Sequence, residues 1–418
     1  MLMNLRWAAS IMILTALGGP VSADVITDWN EKAVAFVTKQ RLLPPQAERV
    51  IASVHLAMFD AVNSIEPRYR PYRLAVITTK DASPEAAAAV AAGMVLAGLH
   101  PKDAEEVNTL MAAYLAAIPS SEAKSNGIKV GQEVAAKIVA ERKADGADAP
   151  DAYRPKTRAG VYVPTPITAS SMWPNVKPFA MQNPSQFRPQ PPISLKGKEW
   201  ASDYNEIKSL GGKASSKRTA RQTEDAQFWL ITGPVSYYPI ARQLVAAKGM
   251  NVLDSARFMA LASAAVADSF IAVFDAKYHY EFWRPITAIR NGDIDGNPDT
   301  EIEATWQPID ITPMHPEYPC AHCIQSGAAA GVIEAVFGTM DIPEVSMVSS
   351  TLPGVSHRWT NIGMFADEIA NARIWAGFHY RFSARVGADM GRKIGRYVVE
   401  TVMQPVSADS SLASPPGN

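Results

Sequence analysis

Four of the seven histidines fall between positions 315 and 379, and three short stretches near them combine cations, imidazoles and helix-start signals. The first runs Lys277-Tyr-His-Tyr-Glu-Phe-Trp-Arg284-Pro285. Lysine and arginine stand two helical turns apart, so on a helix both would project from one face. Pro285 would stop that helix and leave Arg284 at its mouth. Two cations converging on one point suit an anion with several oxygens.

The second stretch is His315-Pro-Glu-Tyr-Pro319-Cys320-Ala321-His322-Cys323, ahead of a run of Ala and Gly. A helix start presents free N–H groups and a positive dipole end, a ready anion site. His322 in the first turn could give or take a proton beside a bound anion. The Cys-x-x-Cys spacing leaves other readings open. These are a zinc site completed by His315 or His322, a redox dithiol, or a structural disulfide between Cys320 and Cys323.

The third stretch is Asn371-Ala-Arg373-Ile-Trp-Ala-Gly377-Phe-His379-Tyr-Arg381-Phe-Ser383. On one unbroken helix Arg373 and His379 would point about 120° apart. Gly377, a good residue to end the helix, lets them converge. Ser383 can then cap the next helix. Together the three stretches supply three cations, a helix N-terminus and two histidines. Such a set would hold a tetrahedral oxyanion and leave one histidine free to bond its central atom.

The elements that must position these groups read as helices. Asp28 and Glu31 form a capping-box pattern ahead of Ala33–Lys39. Apolar residues at helical spacing mark 46–65, and Ser83-Pro84 opens an alanine-rich helix to about Leu99. Helices are also expected over 121–143, 197–210, 254–278, 321–337, 361–376 and 383–402, the 254–278 helix as a buried centre. No strand pattern or repeat stands out. Residues 150–192 are proline-rich, and Trp173, Phe179 and Phe187 are apolar enough to pack that segment down as an ordered loop. The fold class is all-α: one large helical domain over 24–405, with a flexible tail over 406–418.

Composition bounds the partners. The chain has 418 residues, 40 Lys+Arg against 41 Asp+Glu, and a net charge of -1, which gives no electrostatic case for nucleic acid. Residues 1–23, with Arg6, a short apolar run and Val21-Ser22-Ala23, read as a secretory signal. No later uncharged run is long enough to span a bilayer, the 258–274 segment being broken by Asp268 and Ser269. The expectation is an exported protein, periplasmic or secreted, without stable membrane insertion, in a compartment where a cysteine pair can close.

At this point the chain resembles the superfamily that joins vanadium-dependent haloperoxidases and type-2 phosphatidic acid phosphatases. Its pattern is Lys, six residues, Arg-Pro; then Pro-Ser-Gly-His; then Ser-Arg, five residues, His, three residues, Asp. Here stand Lys277 with Arg284-Pro285, Pro319-Cys320-Ala321-His322, and Ala372-Arg373 with His379. The resemblance is specific from about 253 to 395. Upstream, Trp29-Asn30, the segment from Pro44-Pro45 to Asn63 and the proline-rich loop look like secreted bacterial haloperoxidases.

The resemblance implies a helical bundle with its site at the core, and vanadate as cofactor. Lys277, Arg284 and Arg373 would hold the oxyanion, with Cys320 and Ala321 in the cradle. His379 would be the vanadium ligand and His322 the acid–base partner. Lys277 would polarise bound hydrogen peroxide, and bromide or iodide would be oxidised. A phosphatase of the same superfamily would need no cofactor: His379 would attack a phosphoester and His322 would protonate the leaving oxygen. A catalytically degenerate oxyanion-binding protein is the third reading. Cys320 replaces the family serine, Ala321 the glycine, and Ser383 stands where an aspartate is common, so the carboxylate that would orient the histidine is missing there. His379-Tyr-Arg-Phe is similar to the His-Trp-Arg-Phe of haloperoxidases. His315 falls where bromide- and iodide-oxidising members carry a histidine, which makes it the halide-selectivity residue.

Overall fold

The computed structural model describes residues 24–164 and 168–406. The expected signal segment and, apart from Val406, the expected tail lie outside the described residues. In chain order the elements are α1 (Val25–Lys39), α2 (Pro44–Ile65), α3 (Pro84–Leu99), α4 (Ala104–Ala116), α5 (Glu122–Lys143), α6 (Lys198–Gly211), α7 (Ala220–Phe228), α8 (Tyr238–Ala247), α9 (Val252–Tyr280), α10 (Pro285–Arg290), α11 (Ala321–Phe337), β1 (Asp341–Ser349), β2 (Leu352–Asn361), α12 (Ile362–Trp375) and α13 (Arg381–Thr401). The expected helical architecture is present, and α2, α3, α5, α6, α9, α11 and α12 start and stop within two residues of their expected bounds.

Local chemistry accounts for most helix ends. Ser83 accepts from Ala86 N–H and starts α3; Ser121 accepts from Lys124 N–H and starts α5. The capping-box reading at the N-terminus is corrected: Asp24 caps α1, accepting from Ile26 N–H at 3.2 Å, and Asp28 lies inside the helix. α13 starts at Arg381, so Ser383 is not its cap but a buried residue of its first turn.

α9 is the axis. It is long and apolar enough to cross a membrane, yet it is wrapped by protein along its apolar length. α2, α11 and α13 pack on it. α11 and α13 approach closely because small residues face each other: a side chain at Gly391 would lie 2.0 Å from Ile324 O. The antiparallel hairpin β1–β2 was not expected. Pro343 and a bulge between Asp341 and Val345 break its alternation, although Val345, Met347 and Trp359 are buried as a strand face requires.

The proline-rich segment packs down as expected, with Trp173 and Phe179 buried and Phe187 against the core. Its anchor is Asp268, one of the residues that broke the apolar run of α9. The carboxylate accepts from the N–H groups of Phe179, Ala180 and Met181 at 2.7, 2.8 and 2.8 Å. A second, aromatic core of Trp200, Trp283, Tyr318, Tyr380 and Phe382 sits beside the main one. It clamps the neighbours of Arg284 and His379 and so fixes both backbones.

Candidate oxyanion site

Lys277 and Arg284 meet, but not on one helix face. α9 ends at Tyr280 through Glu281, which takes a left-handed conformation (φ 51°). Arg284 lies beyond that turn and precedes α10, so Pro285 opens a helix rather than closing one. The two cations converge on the loop before α11. Lys277 Nζ donates to the carbonyls of Pro316 and Glu317, both at 2.8 Å, and Arg284 Nε donates to the His315 carbonyl at 2.8 Å.

Arg373 and His379 converge as expected. α12 ends at Trp375, and Gly377 follows with φ +81°. The N–H groups of Phe378 and His379 fold back onto the Arg373 carbonyl. Gly377 is also demanded by packing: a Cβ there would lie 2.5 Å from the Gly211 carbonyl at the end of α6.

The carboxylate missing at position 383 comes from elsewhere. Glu317 Oε1 lies 2.8 Å from His379 Nδ1 and accepts from Tyr380 N–H at 3.1 Å. Its loop is held by the Glu317 N–H to Phe282 carbonyl bond. Sequence reasoning quoted Glu317 within the His315–Cys323 stretch but gave it no role. The signal was there: an acidic residue between prolines, in a family pattern lacking its usual aspartate. With Nδ1–H given to Glu317, His379 Nε2 carries the lone pair, and Arg284 Nη1 stands 3.3 Å from it.

The other histidines are also fixed. His322 Nε2 lies 3.1 Å from the Ile231 carbonyl, which can only accept, so the proton is on Nε2 and Nδ1 is basic. Arg284 Nη2 lies 3.0 Å from His315 Nδ1, and a guanidinium only donates, so Nδ1 accepts there. His357 is not part of the site; it stands on β2 and bonds Glu368.

Cys320 and Cys323 are joined in a disulfide, Cα atoms 5.3 Å apart. That excludes a free dithiol or thiolate ligand in this state and corrects the expected donor role of Cys320: no S–H exists. Cys320 instead caps α11, its Sγ accepting from Cys323 N–H at 3.2 Å. Ala321 in place of glycine is neutral for the backbone, because its φ is not positive. With the Cys323 N–H used in that way, those of Ala321 and His322 remain as orphan donors at the start of α11.

A cavity of about 290 Å³ opens onto these groups. His315, Ala321, His322, Arg373 and His379 line it, with Gln325 also in the wall, while Phe270, Phe274, Ile311 and Met314 make its apolar sides. Lys277 and Arg284 do not line it; Arg284 stands behind His315 and His379.

The electrostatics ask for an anion. Lys277, Arg284 and Arg373 are all buried, and one buried carboxylate, Glu317, stands near Lys277 and Arg284. Burial, with repulsion from Arg284, holds Lys277 well below its usual value. Burial lowers Arg284 to about 10, and burial with repulsion from Arg284 lowers Arg373 to about 9. Burial, reinforced by the neighbouring cations, holds His315, His322 and His379 well below the usual imidazole value, so all three are neutral. Burial also raises Glu317 to about 7 despite Lys277 and Arg284. A multiply charged anion relieves the repulsion among the cations. Arg373 Nε is buried without a partner, and His379 Nε2 meets the Arg284 guanidinium at 3.3 Å, so the donor set fits vanadate or phosphate.

The fold is a helical bundle, and the cavity at its core gathers buried cations and histidines of a kind that suits an oxyanion. Residues 257–408 match the family model of the VCPO second helical-bundle domain. The vanadium chloroperoxidase of Curvularia inaequalis is 26% identical over 282 residues, 51% of this chain and 46% of that one, so the chain aligns with about half the length of this curated relative. The crystal structure of the first bacterial vanadium-dependent iodoperoxidase superposes with a TM-score of 0.79 at 23% identity, over 93% of this chain and 99% of that one. The apo-type bacterial vanadium-dependent chloroperoxidase follows with a TM-score of 0.66 at 17% identity, over 86% of this chain and 94% of that one. The resemblance read from the three stretches is thereby shown, and the chain is a relative of the vanadium haloperoxidases.

Proposed function

We propose that this protein is a vanadate-dependent haloperoxidase that oxidises bromide or iodide with hydrogen peroxide. The observation that carries the reading is His379: a neutral imidazole, Nδ1 held by Glu317, whose Nε2 meets Arg284 Nη1 among three buried cations. When bound, vanadate supplies a Lewis-acid centre that activates peroxide toward halide without changing its own oxidation state.

The chain's own groups do the rest. His379 Nε2 offers the ligand lone pair, and Glu317 makes that nitrogen more basic. Arg373 and Arg284 balance negative charge, and Lys277, held by the Pro316 and Glu317 carbonyls behind the wall, adds a third charge. His322 lines the cavity with Nε2 held by the Ile231 carbonyl, so its Nδ1 would be the group that holds or moves a proton beside the bound anion. His315 and Phe274 wall the space a halide must enter and make His315 the residue for halide choice. The apolar sides of the cavity keep bulk water sparse around the anion. The disulfide fits an oxidising compartment outside the cytoplasm.

The test is halogenation of a dione reporter by purified protein with peroxide and iodide, bromide or chloride, with and without orthovanadate. Vanadate-dependent turnover is expected, lost in His379→Ala and shifted in halide preference in His315→Phe. Protein that binds vanadate but halogenates nothing, while hydrolysing a phosphomonoester, would replace this reading with the phosphatase one.

A further inference from the structure

Outside the cavity, α7, β2 and α12 bring a second set of ionisable groups together. Glu224, Asp225 and His357 offer ligand atoms that all lie within 4.8 Å of one another. His357 is buried, and its Nε2 has no hydrogen-bond partner. That nitrogen faces Glu224 Oε1 at 3.6 Å and Asp225 Oδ1 at 3.9 Å.

The hydrogen bonding of the ring sharpens the point. Glu368 lies 2.6 Å from His357 Nδ1, and the same carboxylate accepts from the indoles of Trp229 and Trp359 at 2.9 and 3.0 Å. Nδ1 is thus committed to Glu368, and Nε2 is the ring nitrogen turned toward Glu224 and Asp225. Two carboxylate oxygens around one buried, unpartnered ring nitrogen make a place for a cation between them. Both distances are too long for hydrogen bonds. They are close to the ~3.3–3.4 Å edge of a tetrahedron with ion–ligand bonds of ~2.0–2.1 Å. Phe228 stacks on the imidazole at 3.8 Å between centroids and fixes its plane.

Charge agrees. Three carboxylates (Glu224, Asp225 and Glu368) face one cation, Arg221, which reaches Glu224 Oε1 at 2.7 Å and Asp225 Oδ1 at 2.9 Å. Its side chain is 59% exposed, so it can swing into solvent when a stronger cation arrives.

We propose that Glu224, Asp225 and Nε2 of His357 form a binding site for a divalent transition ion of the zinc class, with Glu368 orienting the imidazole. Two carboxylates and one imidazole suit zinc, cobalt or manganese better than calcium or magnesium, which prefer all-oxygen shells. The carboxylate–histidine pairing is the usual outer arrangement of such sites. The site is separate from the oxyanion cavity and does not depend on the proposed peroxidase chemistry.

The experiment uses the full chain, stripped with chelator and titrated with Zn²⁺ by calorimetry and with Co²⁺ by its visible d–d absorption. One equivalent should bind saturably. His357→Gln and Glu224→Gln should abolish it. Glu224 is partly exposed, so its variant tests the ligand without threatening the fold. Glu368→Gln should weaken binding by about 10–100-fold, and Arg221→Ala should strengthen it. His379→Ala should leave it unchanged. Absence of saturable binding, or binding undiminished in both His357→Gln and Glu224→Gln, would overturn the assignment. So would binding that disappears in His379→Ala.

Discussion

Glu317→Gln isolates what a carboxylate adds behind His379. Glutamine keeps the shape and an acceptor oxygen for His379 Nδ1–H and Tyr380 N–H, now 2.8 and 3.1 Å from Oε1. It removes the charge. Two effects then oppose each other. The imidazole becomes a weaker ligand, and loss of such an outer partner typically costs about 10–100-fold in affinity. Against that, Oε1 lies about 5 Å from Nε2 across the ring, where two unit charges interact by ~3 kcal/mol at an effective dielectric constant of ~20. Neutralising Glu317 therefore favours every anion in the cavity. That gain is common to phosphate and vanadate, whereas ligand basicity matters only to an anion bonded to the imidazole. The expected result is tighter phosphate binding and a fall of about 10–100-fold in the ratio of vanadate to phosphate affinity. The assay is calorimetric titration of both anions into wild type and variant, with circular dichroism to check the fold. It belongs well above the pH of about 7 to which burial raises Glu317, so that the wild-type carboxylate is charged. An unchanged ratio would refute the reasoning.

Three further outcomes are expected. Cys320→Ser with Cys323→Ala opens a short loop worth ~2 kcal/mol of chain entropy, of which a serine cap returns ~1 kcal/mol, so denaturant unfolding should show a net loss of about 1 kcal/mol. Glu48 is fully buried on α2, and burial raises its carboxyl from 4.5 to about 8 against a hydrogen bond from Tyr238. A raised folded pKa favours folding below the unfolded value and loses that contribution as pH climbs through the folded value. Unfolding free energy should therefore decline between pH 4.5 and about 8, by on the order of 5 kcal/mol at most, and Glu48→Gln should flatten that slope. Asp268→Asn leaves one oxygen for three converging N–H groups and should cost about 3 kcal/mol, read as faster proteolysis within 150–192; unchanged cleavage would count against the anchor.

Much of the site was legible because its chemistry is local in sequence. Gly377 announced the turn that brings His379 back to Arg373, and the Ala-Gly run after Pro319 announced α11. The convergence of Lys277 and Arg284 was anticipated for the wrong reason: Glu281 in a left-handed conformation ends α9, which single-residue propensities do not reveal. Glu317 was marked in the sequence only as an acidic residue between prolines; its pairing with His379 spans 62 residues and depends on a loop pinned by Lys277. The hairpin was hidden by Pro343 and a bulge. The cluster around His357 was invisible for a related reason, since α7 had to meet β2 and α12, far along the chain, before its charges could be counted.

The contact between Gly211 and Gly377 reaches beyond packing. Gly211 touches nothing in the cavity, yet a Cβ on it would lie 2.6 Å from Gly377 Cα, on the turn that aims His379. The orientation of the imidazole is thus governed from the far end of α6, 168 residues away in the chain. A random-mutagenesis screen for lost activity should recover Gly211 among its hits, where a map of cavity-lining residues would never place it. The two glycines form one unit of selection: neither can gain a side chain unless the backbone of the other withdraws.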